Sequence, residues 1–253
     1  MLCYRYLTDV CPENFKMETR MLRIIPTIIL VLLLLDGVLA QLPVVPPEKD
    51  TQLWSDVQFI IPIGKGKTEG KEKIDLLLTG TFRLGRNVTH PVDERVAVAV
   101  DFKIGKYFKL TPGYLYQAAQ PFAGRKTYEN RLMLAGTVEY EWKNKITLKD
   151  RNMIERRLRN SQADSTRYRN QLRVDVPFSV ISVKGNKYKF FVADEVFYDW
   201  SVDAWTRNRF TVGVNRKFNN KYTGEIFYLR QNDGRARPGD LHVIGVSLKI
   251  RLD

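Results

Sequence analysis

The sequence runs to 253 residues, enough for one large domain or two small ones. Lys and Arg number 41 against 28 Asp and Glu, a net charge of +13; that excess suits nucleic acid, anionic lipid or plain solubility and selects none of them. Beyond the N-terminus no apolar run approaches the roughly 20 residues of a spanning helix, so the apolar residues suit either a soluble β-protein or a barrel apolar on one side only.

Residues 24–35 form a short apolar run behind Arg20 and Arg23, followed by Gly37, Val38, Leu39 and Ala40. A basic start, an apolar core and a small-residue exit describe a secretory signal peptide over residues 1–40, with cleavage expected after Ala40. Asp36 stops the run at about a dozen residues, too short for a bilayer anchor. Met17 or Met21 would serve as the start, which makes residues 1–20 a mis-started extension. Cys3 and Cys11 both fall before the cut, so disulfides, Cys-ligated metals and a lipoprotein cysteine are not expected afterwards. The removed part carries four basic and four acidic residues and leaves the charge at +13.

Residues 41–51, with Pro43, Pro46 and Pro47, read as an extended leader, and residues 52–253 as a single β-barrel domain. From Leu53 onward the period is two. Eleven candidate strands follow: 52–63, 73–84, 94–105, 107–118, 127–142, 145–158, 166–181, 187–199, 205–218, 221–231 and 241–252. Alternation is clear in Val96, Val98, Val100, Phe102 and Ile104 against Arg95, Ala97, Ala99, Asp101 and Lys103. The last strand sets His242, Ile244, Val246, Leu248, Ile250 and Leu252 against Val243, Gly245, Ser247, Lys249 and Arg251. Many segments exceed the ~5–6 residues of soluble strands and meet the ~9–11 of a tilted membrane strand.

Gly105-Lys106, Lys143-Asn144, Gly185-Asn186 and Asn219-Asn220 read as tight turns, since Gly and Asn tolerate positive φ. Longer polar loops are expected near 85–93, 119–126, 159–166, 200–204 and 232–240. Short turns on one rim and long loops on the other match outer-membrane barrels, short side periplasmic. Beside the tight turns stand Phe108, Tyr140, Trp142, Tyr188, Phe218 and Tyr222; near the long loops stand Tyr114, Tyr116, Tyr128, Tyr168, Tyr198 and Tyr228. All have even numbers, the apolar parity, and two such rows are what membrane-interface girdles demand. The ten residues between Tyr188 and Tyr198 span about 23 Å of height at ~45° tilt, close to the ~25 Å apolar band of such barrels. The fold expected is therefore an all-β, antiparallel up-and-down transmembrane β-barrel of about 10–12 strands, after a cleaved signal peptide.

Single-chain bacterial barrels have an even strand number, and eleven is odd. The segment 52–63 has reversed parity, with Leu53, Val57, Phe59, Ile61 and Ile63 apolar. Either it lies outside the wall and the barrel has ten strands, or a strand is hidden and there are twelve; twelve is the preferred count.

The odd face carries a lumen charge cluster: Arg151, Glu155, Arg157, Arg167, Arg169, Arg173, Asp175, Glu195, Arg207, Arg209 and Glu225. One reading is a narrow interior filled by Arg–carboxylate ladders; a second is an Arg-biased pore admitting small anionic solutes; a third is a bound ligand. His90 and His242 have no nucleophile motif beside them, so no enzyme, cofactor or metal site is expected. Asn87-Val88-Thr89 as a sequon and Asn232-Asp233-Gly234 as a cation turn are read as chance and as a plain turn; Arg235 and Arg237 read as solvated loop charge able to meet lipid phosphate.

The order of several short motifs carries a resemblance. They are Gln52-Leu53-Trp54, Gly113-Tyr114, Arg151 with Glu155-Arg156-Arg157, and Arg167, Arg169 and Arg173 ahead of Pro177. Asp194-Glu195 with Phe197, Asn208-Arg209-Phe210 leading to Gly213, and Tyr228-Leu229 with Gln231 complete the set. From about Gln52 to its end the chain resembles a bacterial family of secreted, outer-membrane-barrel-like proteins classed as a domain of unknown function. The resemblance implies the barrel and no catalytic residue. One departure is the ending Leu252-Asp253, where such barrels commonly carry an aromatic residue. The expectation is an integral bacterial outer-membrane barrel, a narrow channel or an envelope structural protein, with a soluble periplasmic ligand-binding barrel as the alternative. Its partners would be outer-membrane lipid and, during biogenesis, the barrel-insertion machinery and periplasmic chaperones, with no nucleic acid.

Overall fold

The computed structural model describes residues 47–63, 73–143, 145–178 and 187–252. Of the two units into which the chain divides, Met1–Val45 and Pro46–Asp253, these belong to the second. The signal peptide, most of the leader and the Gly185-Asn186 turn lie outside the described residues. So does Asn144 of the Lys143-Asn144 turn, along with Asp253.

Eleven strands follow one another: β1 (Lys49–Ile63), β2 (Ile74–Gly85), β3 (His90–Ile104), β4 (Phe108–Ala119), β5 (Thr127–Glu141), β6 (Thr147–Arg159), β7 (Ser165–Pro177), β8 (Lys187–Asp199), β9 (Ala204–Lys217), β10 (Tyr222–Asp233) and β11 (Asp240–Arg251). They form one closed barrel in which every neighbour in sequence is a neighbour in space, and β1 meets β11 at the seam. All pairings are antiparallel except that seam, which is parallel from Lys49↔Asp240 to Ile60↔Arg251. The count corrects the expectation of ten or twelve. Alternating strands can close only in even number unless one adjacent pair runs parallel, and β1 with β11 is that pair.

The reversed parity of the first segment has the same origin. Trp54 pairs with Arg83 on β2 and with Gly245 on β11. Paired residues share a face, so β1 turns its even positions inward while its neighbours turn their odd ones. Asp50, Gln52 and Trp54 are buried; Leu53, Val57 and Phe59 face out.

The rims differ less in loop length than expected. One rim, here the upper, carries connections 86–89, 120–126, 160–164, 200–203 and 234–239, and β1 starts there. The other, lower rim is where β1, β5 and β7 end, and it carries the fully described connections 105–107 and 218–221. The loop expected at 85–93 contracts because β3 begins at His90. Arg86, Asn87 and Val88 take φ of 52°, 56° and 65°, a left-handed run that side chains other than Gly resist. The carboxylate of Asp50 holds it, accepting the backbone N–H of Arg86 at 3.0 Å and of Asn87 at 2.8 Å. On the lower rim Gly105 supplies positive φ, and Asn219 closes its turn by accepting from the N–H groups of Lys221 and Tyr222.

The outward face is an apolar wall. Val96, Leu132 and Ile226 are each more than half exposed, and large exposed side chains continue around the strands. An exposed apolar surface of that extent is not what water-facing monomers present. The wall is interrupted on β6 to β9. Asn170 donates to Asp150 at 2.7 Å and to Asn152 at 3.1 Å, and Asn208 donates to Asp194 at 2.9 Å, so these outward polar groups satisfy one another.

Candidate functional site in the lumen

Inward-facing charges from several strands interlock in the upper half of the lumen. Glu155 on β6 has no exposed surface. Its Oε2 accepts Nε and Nη2 of Arg167 at 3.0 and 2.6 Å, and its Oε1 accepts Nη1 of Arg169 at 2.7 Å. Arg169 then reaches Glu195 Oε1 at 2.6 Å, where Arg151 arrives at 3.2 Å, while Arg209 lies 3.6 Å from the other oxygen. Phe197 fills the space between these groups with no exposed surface. The guanidiniums of Arg167, Arg169, Arg207 and Arg209 stand 4.8–5.4 Å from its ring centre. That is cation–π distance, and each cation beyond its carboxylate partner gains a polarisable face.

Two further layers flank this one. Toward the lower rim Arg173 bonds Asp175 at 2.7 Å and Glu225 at 3.2 Å, Lys249 joins Glu225 at 3.2 Å, and the Phe191 ring lies 3.7 Å from the Arg173 guanidinium. Against the β1 seam, Trp54 packs with Leu229, Leu241, Val243 and Phe227. Its indole N–H donates to Gln52, which donates to Asp50, and Arg83 stacks 3.6 Å from the ring.

Above the middle the lumen opens into a cup of about 260 Å³ at the upper rim. Eleven arginines and two carboxylates, Asp93 and Glu129, line it. Asp93 accepts from Arg83 at 3.2 Å and Arg95 at 2.9 Å; Glu129 accepts from Arg131 at 2.7 Å and Arg157 at 3.0 Å. Arg207 is held at 2.6 Å by Asp233, which therefore serves a lumen arginine and its own turn through the N–H groups of Arg235 and Ala236. Arg125, Arg159 and Arg235 at the mouth form no ion pair among the described residues, and Nε of Arg83 and of Arg159 are buried without an acceptor.

The structure thus joins Arg151, Glu155, Arg167, Arg169, Arg209 and Glu195 in one ion-pair network with Arg207 beside it over the Phe197 ring, pairs Arg157 with Glu129 and Asp199, and sets Arg173, Asp175 and Glu225 below. Sequence reasoning passed over Arg83, Asp93, Arg95, Glu129 and Arg131, which extend the charge into β2, β3 and β5. Asp93 fell in a span read as loop; the others had the correct parity and were passed over. The aromatic platforms Trp54, Phe191 and Phe197 were hidden because an inward aromatic has the same residue type as an outward one.

All twelve aromatic side chains expected at the rims lie outside the wall. Phe108, Tyr114, Tyr116, Tyr128, Tyr140, Trp142, Phe218, Tyr222 and Tyr228 are well exposed, and Tyr168, Tyr188 and Tyr198 are half-buried by neighbours. Trp205 joins them from an odd position. A bulge where β8 meets β9 pairs Phe197 with Arg207 but Tyr198 with Trp205, so Trp205 points out to meet Tyr198 at 5.3 Å and Tyr168 at 6.5 Å. At the lower rim Arg216 lies between Tyr188 and Phe218, 4.8 Å from each ring.

The histidines are far from this machinery. His90 contacts Thr89 at 2.8 Å, and His242 meets Tyr228 at 2.7 Å on the outer wall. Asn232-Asp233-Gly234 is not a free cation turn, since Asp233 is engaged by Arg207, and no group of metal-binding side chains occurs among the described residues.

Two solved structures are distantly similar to the chain. The β-domain of the Bordetella autotransporter BrkA is 15% identical, with a TM-score of 0.38 over 69% of this chain and 78% of that one. LpxR from Salmonella typhimurium is 10% identical, with a TM-score of 0.43 over 73% of this chain and 83% of that one. No curated protein matches. Residues 51–241 match the family described as "Protein of unknown function (DUF2490)", and the chain belongs to that family.

Proposed function

We propose that the chain is an integral barrel of the bacterial outer membrane and that it serves the envelope as a closed, non-conducting wall protein. Outer-membrane lipid would cover the apolar face, and the two aromatic rows would sit at headgroup depth. The lower rim, where β11 ends, would face the periplasm. The barrel-insertion machinery and periplasmic chaperones would be its partners during biogenesis. A soluble periplasmic barrel is disfavoured, because such a protein would leave Val96, Leu132, Ile226 and Ile244 in water.

The observation that carries the closed reading is Phe197, sealed in the upper half of the lumen among four guanidiniums whose counter-ions are themselves paired. A channel needs a continuous wet path with exchangeable fixed charge; this layer offers mutually satisfied pairs instead. Purified barrel in a planar bilayer should give no reproducible conductance, and anion-selective steps would overturn the closed reading. Membrane residence has its own test. Unboiled protein should run differently from boiled protein on a denaturing gel, whereas identical mobility and recovery in the soluble periplasmic fraction would overturn it.

A further inference from the structure

The upper cup has an excess of positive charge that its own carboxylates do not neutralise. Of its eleven arginines, Arg83, Arg95, Arg131 and Arg157 share Asp93 and Glu129, and Arg167, Arg207, Arg209 and Arg237 pair with Glu155, Asp233, Glu195 and Glu48, which among the described residues leaves Arg125, Arg159 and Arg235. The unmatched charge is concentrated at the mouth. Arg125 comes from the β4–β5 connection, Arg159 from the end of β6 and Arg235 from the β10–β11 connection, so guanidiniums converge on one cavity from three places in the chain. Deeper in the cup the buried Nε of Arg83 lacks an acceptor although its Nη1 is paired with Asp93. A buried donor without an acceptor is costly, and it adds to the positive potential of the cup.

We propose that the cup is a binding site for a small, water-soluble, multiply charged phosphate-bearing anion. Planar carboxylates present acceptors in one plane, whereas phosphate groups offer oxygens in all directions and suit guanidinium forks arriving from several sides. The volume of about 260 Å³ lies just under the ~300–1,000 Å³ of drug-sized sites, which admits a di- or triphosphate or a phosphosugar and excludes a long glycan. The ladder is closed all round, so a bilayer lipid has no lateral entry to the lumen and the ligand arrives from the aqueous side. The site requires the closed wall and does not depend on whether the barrel conducts.

Titration calorimetry of the full folded chain in zwitterionic detergent with inorganic tripolyphosphate tests this. A single saturable site is expected, weakening as salt rises. The double variant Arg125→Ala/Arg235→Ala should weaken it by at least about tenfold, the scale of lost charge-assisted hydrogen bonds. The lower-rim double variant Lys106→Ala/Lys143→Ala should bind as the parent does. Gel heat-modifiability of each variant reports that the barrel is folded. No saturable binding, or equal weakening by both double variants, overturns the site. Displacement of tripolyphosphate by nanodiscs containing phosphatidylglycerol overturns the water-soluble assignment and moves the ligand to a lipid headgroup.

Discussion

Glu155 and Arg167 are direct partners across the β6–β7 ladder, and their side chains meet inside the barrel through two hydrogen bonds to one carboxylate oxygen. Both are almost wholly shielded from solvent. Glu155→Gln strands the Arg167 guanidinium and should cost about 3–5 kcal/mol, whereas Arg167→Met leaves Glu155 its bond from Arg169 and should cost less. The double variant should cost less than the sum, because Arg169 keeps Glu195 and no orphan charge remains. Urea titration of the folded fraction in lipid vesicles measures all three. A Glu155→Gln cost below about 1 kcal/mol would mean that water screens the pair as it screens surface bridges.

A second relationship concerns space. Phe227 on β10 pairs with Gly213 on β9 and Gly245 on β11; its ring lies against the position Gly245 leaves open, while its Cβ and the Phe191 ring border the one Gly213 leaves open. A Cβ on Gly245 would fall 2.1 Å from the Phe227 ring, whereas one on Gly213 would fall 2.5 Å from the backbone oxygen of Ile226. Both alanine variants should be destabilised by about 1–3 kcal/mol, the usual cost of overpacking. Phe227→Leu should relieve Gly245→Ala, whose clash is with a side chain. It should not relieve Gly213→Ala, whose clash includes backbone. Equal rescue of both would show that the strands yield at Gly213.

Alternation was the legible part of this sequence, because a period of two assigns each side chain to a face without knowledge of its partners. It placed Glu155, Arg169 and Glu195 in the lumen and Tyr114 and Tyr140 outside. It could not reveal closure. The direction in which β1 meets β11 depends on a pairing between residues such as Trp54 and Gly245, far apart in sequence. Nor could it anticipate bulges, which change parity at Trp205. Strand ends were blurred where side chains supply turn chemistry at long range, as Asp50 does for Asn87. The outward polar set of Asp150, Asn152, Asn170, Asp194 and Asn208 was present in the even positions, but its mutual hydrogen bonds depend on register.

The parallel seam has a direct covalent test. Ser55 and Val246 are register partners on β1 and β11, both on outward-facing positions. Neighbouring strands lie about 4.7–4.9 Å apart, within the reach of a disulfide. Ser55→Cys/Val246→Cys should therefore oxidise efficiently in the folded barrel and shift its mobility on a non-reducing gel. Phe82→Cys/Val246→Cys should not, because β1 separates β2 from β11. The reverse result would mean a ten-stranded barrel closed by β2 and β11 with the first segment outside the wall.

The lipid-facing wall makes a depth-dependent prediction that a water-exposed barrel would not obey. Leu134 is the middle residue of β5, half exposed on the outer face, while Tyr128 lies near the upper end of the same strand. An arginine at the bilayer midplane costs about 2–4 kcal/mol and one near the interface about 0–1 kcal/mol. Leu134→Arg should accordingly destabilise the vesicle-embedded barrel by the larger amount and Tyr128→Arg by little beyond its lost ring contacts. β5 suits the comparison because its outward neighbours at mid-height, Pro112 on β4 and Ile154 on β6, offer an arginine no carboxylate. On β7 the same test would be confounded by Asp150 and Asp194. Equal costs at both heights, or none at Leu134, would remove the membrane from around this wall, since water and detergent-free solution have no midplane to penalise charge.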